Sequence, residues 1–214
     1  MRQWWIESKK AGRIKKKIYQ MLQRYYNFGS WHLTPINDRP YGLEVVRTLN
    51  KLISKNKFPQ YMPFVEVGCG LGEIIGGVKW RYGKIGYDIS TETLKAGAFL
   101  CPKVIFRKGS FADIDCGDIN CLIMLNFIHM ISYEKLKKEM DTVLEKNRVK
   151  LFVLDTFTNN EGTEYVYSHD GENLFSGRYK LARRSNGIPC AHGAKRYIEY
   201  WQICKRDKNF EEKK

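Results

Sequence analysis

Long apolar runs are absent from this 214-residue sequence. No stretch approaches the ~18 apolar residues that a membrane-spanning helix requires. The first residues, MRQWWIESKKAGRIKKK, contain neither an apolar signal core nor a small-residue cleavage site. The sequence therefore predicts a soluble, cytoplasmic protein without membrane insertion.

Paired metal-binding motifs are also missing. None of the six cysteines forms a Cys-x-x-Cys pair, which excludes a zinc knuckle and a thioredoxin-like redox motif. Cys121 and Cys204 lie within apolar stretches, which is typical of buried thiols in a reducing compartment. A cluster of carboxylates suited to Mg²⁺ is not evident either, so we predict no metal.

Acidic residues are scarce relative to basic ones. The 37 Lys and Arg against 23 Asp and Glu give a formal net charge of +14, which favours an anionic partner. Nucleic acid, an acidic lipid surface and a phosphorylated small molecule all satisfy this condition. Since 43% of the residues are hydrophobic, the chain can bury a core as one compact domain. Its oligomeric state stays open.

Residues 1–58 are predicted to form a helical N-terminal cap. Apolar residues recur at helical spacing between Lys9 and Tyr26, and again between Val45 and Ile53. The intervening residues 27–42, NFGSWHLTPINDRPYG, contain glycine and proline breakers. We call this segment the lid loop, because a loop in this place can fold over the core.

Residues 59–206 are predicted to form the core domain. Short apolar runs alternate there with helical stretches, which is typical of a parallel α/β sheet. The first five strands are FVEV, KIGYD, KVIFRKG, INCLIML and KLFVLDTF. An insertion over 157–176 follows, then an antiparallel pair, RYKLARR and KRYIEYWQICKR, and a solvated tail over 207–214.

A glycine-rich turn follows the first strand, in FVEVGCGLGEII. The acidic Glu66 lies near the end of the strand, and glycines occupy positions 68, 70 and 72 before a helix begins. Glycine suits a tight turn whose backbone must approach a ligand closely. The N-terminus of the next helix would direct free N–H groups at the same ligand.

The spacing of the motif narrows the ligand to a nucleoside. Its G-x-G-x-G pattern differs from the G-x-G-x-x-G of dinucleotide-binding domains. Asp88 ends the second strand, 22 positions after Glu66, where a carboxylate can accept hydrogen bonds from both ribose hydroxyls. Ile89 follows as an apolar surface for adenine. A turn that served chain reversal alone would not require this acid.

From Phe64 to Asp155 the chain resembles the class I S-adenosylmethionine-dependent methyltransferases. EVGCGLG resembles the glycine motif of that family. The resemblance implies S-adenosyl-L-methionine (SAM) as cofactor. It also implies an α/β, Rossmann-like sheet of seven mostly parallel strands with an antiparallel last pair. The cofactor-binding residues that follow from this motif are Glu66, Gly68, Cys69, Gly70, Gly72, Asp88 and Ile89.

Further cofactor contacts follow from the same resemblance. KGSFADID lies where the family places residues beside the adenine, but it begins Gly-Ser instead of Gly-Asp, so Ser110 and Phe111 become the predicted contacts. LNFIHMI is similar to the segment after strand four that lines the methyl-transfer site, which adds Asn126. Separately from the resemblance, the position of Arg39 in the lid loop predicts that it binds the cofactor carboxylate, although a loop that only links the two helices explains this position at least as well.

Methyl transfer from a sulfonium requires alignment and exclusion of water, and a hydroxyl or ammonium acceptor also needs a base. Among the four histidines, His129 is placed best, just beyond the fourth strand. A structural histidine explains this position equally well. His169 in the insertion and Asp155 at the end of strand five are further catalytic candidates, and Asp155 could instead cap a turn. His32 in the lid loop and His192 are weaker candidates.

Several methyl acceptors are disfavoured by motifs that the sequence lacks. No Asp/Asn-Pro-Pro-Tyr/Phe motif follows strand four, which argues against adenine-N6 and glutamine chemistry. The Pro-Cys that cytosine-C5 enzymes need after strand four occurs instead at Pro189 and Cys190.

Three functions remain. The first is methylation of oxygen or nitrogen on a polar, anionic small molecule, such as a phosphorylated or nucleotide-linked sugar for a cell-surface polysaccharide. The loop WHLTPINDRPY is similar to bacterial methyltransferases associated with polysaccharide synthesis. The second is an RNA methyltransferase with a basic phosphate-binding surface. The third is a non-catalytic SAM-binding subunit of a partner protein.

Overall fold

A computed structural model describes residues 2–158, 165–175, 177–190 and 193–204, with side chains of the first helix from residue 14 onward. Part of the predicted insertion, His192 and the predicted tail over 207–214 therefore lie outside the described residues. The division between cap and core at residue 58 stays a prediction.

One mixed sheet forms the centre of the molecule. Its strands are β1 (Phe64–Val67), β2 (Lys84–Asp88), β3 (Ile105–Lys108), β4 (Asp118–Met124), β5 (Arg148–Phe157), β6 (Tyr179–Arg184), β7 (Ile188–Pro189) and β8 (Lys195–Ile203). The strand order is β3-β2-β1-β4-β5-β8-β6, and the two-residue β7 pairs with β8. The strands β1 to β5 run parallel, whereas β8 is antiparallel to both β5 and β6. The predicted Rossmann-like sheet with its antiparallel last pair is confirmed, and β7 is an addition within the predicted connection.

Six α-helices lie among the described residues. They are α1 (Arg2–Tyr26), α2 (Pro40–Ser54), α3 (Glu73–Gly77), α4 (Thr91–Leu100), α5 (Tyr133–Lys146) and α6 (Gly171–Phe175). Pro40 begins α2, a position where its missing N–H costs nothing. The Ser90 hydroxyl accepts a hydrogen bond from the Thr93 N–H at 3.1 Å and so caps the N-terminus of α4. Among the described residues, no helix has both the length and the apolarity of a membrane span.

Apolar side chains cover both faces of the sheet. Because side chains alternate along a strand, Val65 and Val67 of β1 face the cluster that includes α5. Phe64 faces the opposite cluster, where Val45 and Leu49 of α2 pack on the sheet. Helices on both faces are the expected arrangement for a parallel sheet.

A smaller cluster joins α1 to the core near the end of β1. Tyr19 and Leu22 of α1 pack together with Phe28 of the lid loop. They contact Leu71, inside the glycine turn, and Ala96 of α4. The predicted cap therefore lies directly beside the predicted cofactor site.

Candidate cofactor and acceptor site

The predicted site residues meet at the carboxyl edge of the parallel strands. The glycine turn leaves β1 there, Asp88 ends β2, Asn126 follows β4 and Asp155 lies near the end of β5. In open α/β sheets this edge forms the ligand crevice where the strand order reverses. In this sheet the order reverses between β1 and β4.

The three glycines of the turn adopt left-handed backbone conformations. Their φ angles are 65° at Gly68, 54° at Gly70 and 69° at Gly72. Space around them is also tight, because a Cβ atom added at Gly70 would lie 2.7 Å from Cε1 of His32. Both conditions select glycine. The lid loop therefore covers the turn, with the His32 ring lying over the middle glycine.

The carboxylate of Asp88 is fixed by two backbone donors. Its Oδ2 accepts from the Gly70 N–H at 2.8 Å, and its Oδ1 accepts from the Ser90 N–H at 2.9 Å. Each carboxylate oxygen retains further acceptor capacity, as a pair of ribose hydroxyls would need. The adjacent Ile89 side chain is 76% exposed and provides an apolar surface beside this acid.

Two predicted cofactor residues support the turn from behind. The Glu66 carboxylate is buried and accepts from the Ile75 N–H at 3.0 Å. Burial raises the pKa of Glu66 to about 8. The Cys69 thiol lies against Gly86 of β2, and burial raises its pKa well above the usual value. These contacts brace the turn, so Cys69 can reach a ligand only through its backbone.

Glu73, the first residue of α3, binds the cap to the turn. Its carboxylate contacts Tyr19 and Arg39, accepts from the Ile36 N–H at 3.3 Å and lies 2.9 Å from Lys15 Nζ. Burial opposes ionisation of Glu73, but the Arg39 charge and the Tyr19 hydrogen bond hold its pKa below the usual value. The Arg39 guanidinium is thus anchored beside the turn, and its buried Nε lacks a hydrogen-bond partner. Only the position of an acid at the start of the helix could have indicated Glu73 from the sequence.

The residues predicted to flank the adenine form a 3₁₀ turn after β3. The Ser110 N–H donates to Asp113 Oδ2 at 2.8 Å in a capping box. Phe111 is buried, with its ring centroid 5.7 Å from that of Phe127. The capping box thereby fixes the Ser110 backbone after β3, whereas Phe111 belongs to the hydrophobic core.

Asn126 connects the end of β4 to the predicted insertion. It adopts a positive φ of 72°, which is uncommon for a residue other than glycine. Its N–H donates to Asp155 Oδ1 at 3.0 Å, and its Oδ1 accepts from the Tyr165 hydroxyl at 2.7 Å. These bonds hold the Asn126 backbone in its unusual conformation at the crevice.

His129 is fully buried between two hydrogen-bond acceptors. Its Nε2 lies 3.1 Å from Asp155 Oδ1 and its Nδ1 lies 3.2 Å from the Tyr167 carbonyl oxygen. Each ring nitrogen thus faces an acceptor, and the tautomer determines which of the two donates. Burial opposes ionisation of Asp155, but the His129 hydrogen bond and the Arg196 charge hold its pKa below the usual value. This geometry favours a positioning role for His129 over that of a base that touches the acceptor.

His169 lies directly behind His129. The two rings stack at a centroid distance of 5.7 Å, and His169 Nε2 donates to the Ile128 carbonyl oxygen at 2.9 Å. Its buried Nδ1 lacks a hydrogen-bond partner, and burial lowers the pKa of the ring. The structure therefore brings all three predicted catalytic residues together in one buried cluster.

Arg196 of β8 also belongs to this cluster, although it was not among the residues predicted from the sequence. Its side chain is only 7% exposed, and its Nε lies 3.5 Å from Asp155 Oδ2. Its Nη2 donates to the Tyr165 hydroxyl at 2.8 Å. The guanidinium also lies over the rings of Tyr41 and Phe157, 4.2 and 4.8 Å from their centroids. The sequence did contain one indication of its burial, because Arg196 falls at a position of β8 whose side chain lies on the same face as apolar residues.

A metal centre has no obvious ligands in this region. Within the described ranges, no group of three or more His, Cys, Asp or Glu side chains is arranged to hold a metal ion.

Comparison with known proteins identifies the fold. No protein-family model matches the sequence, and no curated protein matches it. The crystal structure of the N-methyltransferase NodS from Bradyrhizobium japonicum WM9 with S-adenosyl-L-homocysteine (SAH) matches with a TM-score of 0.66 at 10% identity, covering 88% of this chain and 99% of NodS. That of magnesium protoporphyrin IX methyltransferase from Synechocystis PCC 6803 with SAH matches with a TM-score of 0.61 at 14% identity, covering 77% and 84%. The chain has the class I SAM-dependent methyltransferase fold.

Proposed function

We propose that this chain binds SAM and transfers its methyl group to an oxygen or nitrogen of a polar, anionic small molecule. The acceptor class that we propose is a phosphorylated or nucleotide-linked sugar, or another precursor of a cell-surface polysaccharide. The observation that carries the cofactor assignment is Asp88, whose carboxylate is held beside the glycine turn by two backbone N–H groups. The reaction is placed in the cytoplasm, in keeping with six free thiols.

The crevice residues fit the parts of SAM. Asp88 would accept from the ribose hydroxyls, and the exposed Ile89 would pack on the adenine. The positive-φ glycines carry no side chain of their own that would keep the methionine part away from the backbone. Arg39 Nε, buried without a partner, would donate to the cofactor carboxylate. Two structural neighbours carry SAH in their crystals, which supports the same ligand class.

SAM supplies an electrophilic methyl group on a sulfonium, so the chain mainly has to bind and orient both reactants. The lid loop covers the turn through His32 and would exclude water from the reacting atoms. Asn126 and Asp155 are held at the same edge by a hydrogen bond of 3.0 Å. Asp155 is the proposed group to take a proton from a hydroxyl or ammonium acceptor, because its buried Oδ2 lacks a hydrogen-bond partner.

The charge of the molecule supports an anionic acceptor. The chain carries a formal net charge of +14, and buried Arg196 lies beside Asp155 at the carboxyl edge. A focused positive potential attracts anionic small molecules and favours them over neutral ones. The same net charge would also attract RNA, so the experiment must distinguish the two.

Binding and turnover together test the proposal. Isothermal titration with SAH comes first, followed by transfer of labelled methyl from SAM to a panel of phosphorylated, nucleotide-linked and uncharged sugars. We expect SAH binding and methylation within the charged part of the panel. Methylation of RNA, together with a salt-dependent gel shift, would replace the proposal with the RNA alternative. Binding of SAH without methylation of any sugar or RNA would instead favour a non-catalytic SAM-binding subunit.

A further inference from the structure

Arg196 is a buried cation whose hydrogen-bonding capacity is only partly used. A guanidinium has five N–H donors. Nη2 donates to Tyr165, but within the described part of the chain Nε and Nη1 have no hydrogen-bond partner, although the residue is only 6% exposed. The nearby Asp155 Oδ2 compensates part of the charge, at a distance of 3.5 Å that is too long for a good hydrogen bond.

In a protein that binds no ligand at Arg196, these unsatisfied donors lower the stability of the folded state. Each unsatisfied buried donor loses its hydration without replacement, and the loss is larger for a charged group. The aromatic rings of Tyr41 and Phe157 stack on the guanidinium and fix its plane. The rings occupy the faces of the guanidinium, while Nη2 and Nε point at Tyr165 and Asp155. The N–H groups of Nη1 are therefore held in a fixed direction and remain able to donate to an oxyanion.

We propose that Arg196 binds the anionic group of the methyl acceptor, a phosphate or carboxylate oxygen, through the N–H groups of Nη1, the end of the guanidinium that faces neither Asp155 nor Tyr165. This inference rests on the proposed function and names the residue that selects its acceptor class. Asp155 lies next to the same guanidinium, so an acceptor whose anionic group is bound by Arg196 would bring its other polar groups close to Asp155 Oδ2. Arg196 would thus determine acceptor specificity, separately from the cofactor contacts of Asp88.

The lid loop connects this acceptor site to the cofactor site. Arg39 contacts Glu73 beside the glycine turn, and Tyr41, two residues further on, stacks on Arg196. Because Tyr41 lies in the first turn of α2, an acceptor could reach Arg196 only if this turn moved together with the lid loop.

Inorganic phosphate serves as the probe for this site. The SAH-loaded protein, with ¹⁵N-labelled arginine, is titrated with sodium phosphate and with sodium chloride at matched ionic strength. The variants are R196M, R196K and the control R148K, whose arginine is 67% exposed at the opposite end of β5. We expect phosphate to shift the Arg196 Nε–H signal in the wild type and to bind R148K equally. Binding should weaken about tenfold or more in R196M, and clearly in R196K, which lacks the planar fork.

The outcomes separate this inference from the proposed function. Unchanged phosphate affinity in both Arg196 variants, or an Arg196 signal that phosphate does not move, would overturn the inference even if SAH binds normally. Failure of SAH to bind the wild type would instead overturn the proposed function, and titration without SAH would still measure the phosphate affinity of Arg196. If R196M does not fold because Asp155 is left uncompensated, R196K and the wild-type spectrum still decide the question.

Discussion

The backbone N–H of Gly70 donates a hydrogen bond to Oδ2 of Asp88 at 2.8 Å, joining the middle of the glycine turn to the end of the neighbouring strand. The bond sets the position of the carboxylate before any ligand arrives. It also means that the two parts of the predicted nucleoside site, separated by 18 residues in sequence, move as one unit. Loss of either partner should therefore affect cofactor binding more than folding.

Replacement of Asp88 by alanine removes the proposed ribose contact. Since hydrogen bonds to a charged group contribute about 1.5–3 kcal/mol, we expect SAH affinity to fall roughly 10- to 100-fold. Isothermal titration measures the change. The control is Asp118→Ala, which removes a half-exposed carboxylate paired with Arg148 at the start of β4. Equal SAH affinities in the two variants would argue against a ribose-binding role for Asp88.

Replacement of Gly70 by alanine should damage the turn through both strain and collision. Its φ is 54°, and the new Cβ would lie 2.7 Å from His32 Cε1. Gly117→Ala is the matched control, because Gly117 has a similar φ of 67° but no neighbouring atom within 4 Å of an added Cβ. Backbone strain alone should lower the free energy of unfolding of each variant by about 1 kcal/mol, as measured by urea unfolding. We expect only Gly70→Ala to lose SAH binding, and equal SAH binding by both variants would contradict a close approach at Gly70.

Much of this sheet edge could be predicted from the sequence because its signals are local. A strand, a glycine turn and an acid on the next strand lie within 25 consecutive residues, from Phe64 to Asp88. The alternation of strands and helices predicted the parallel sheet for the same reason. Among the described elements, the two-residue β7 and the five-residue helix α6 were not predicted, because such short elements have no periodic pattern.

The acceptor side could not be predicted in this way because its residues meet only after folding. Arg196 reaches Asp155 through the antiparallel pairing of β8 with β5, and Tyr41 arrives from the cap. No spacing in the sequence reports these contacts. Likewise, the Glu73 ion pairs depend on how the cap packs on the turn, which periodicity does not specify.

Glu66 should make stability depend on pH. Burial raises its pKa from 4.5 to about 8 in the folded protein, so the folded state binds this proton more tightly than the unfolded chain. Its contribution is fully present below pH 4.5 and is lost as the pH rises toward 8. Within that window the free energy of unfolding falls by up to about 1.4 kcal/mol for each pH unit. We therefore expect Glu66→Gln, which cannot ionise, to gain stability relative to the wild type as the pH rises.

Urea unfolding at several pH values measures this difference. The control is Glu145→Gln, which removes an exposed carboxylate on α5 and should track the wild type at every pH. Parallel stability curves for Glu66→Gln and the wild type between pH 4.5 and 8 would show that Glu66 ionises in the folded protein as it does in the unfolded chain.

His129 provides a test between a positioning residue and a general base. Its two ring nitrogens face Asp155 Oδ1 and the Tyr167 carbonyl oxygen, and the ring is fully buried. Alanine at this position would remove both contacts of the ring and leave Asp155 Oδ1 with the Asn126 N–H alone, at a cost of about 1–3 kcal/mol. We expect His129→Ala to lower the midpoint of urea unfolding while SAH affinity stays near that of the wild type. The control is Lys135→Ala, at an exposed position of α5, which should leave both the unfolding midpoint and the SAH affinity unchanged. A general base would behave in the opposite way, with loss of methyl transfer at an unchanged unfolding midpoint.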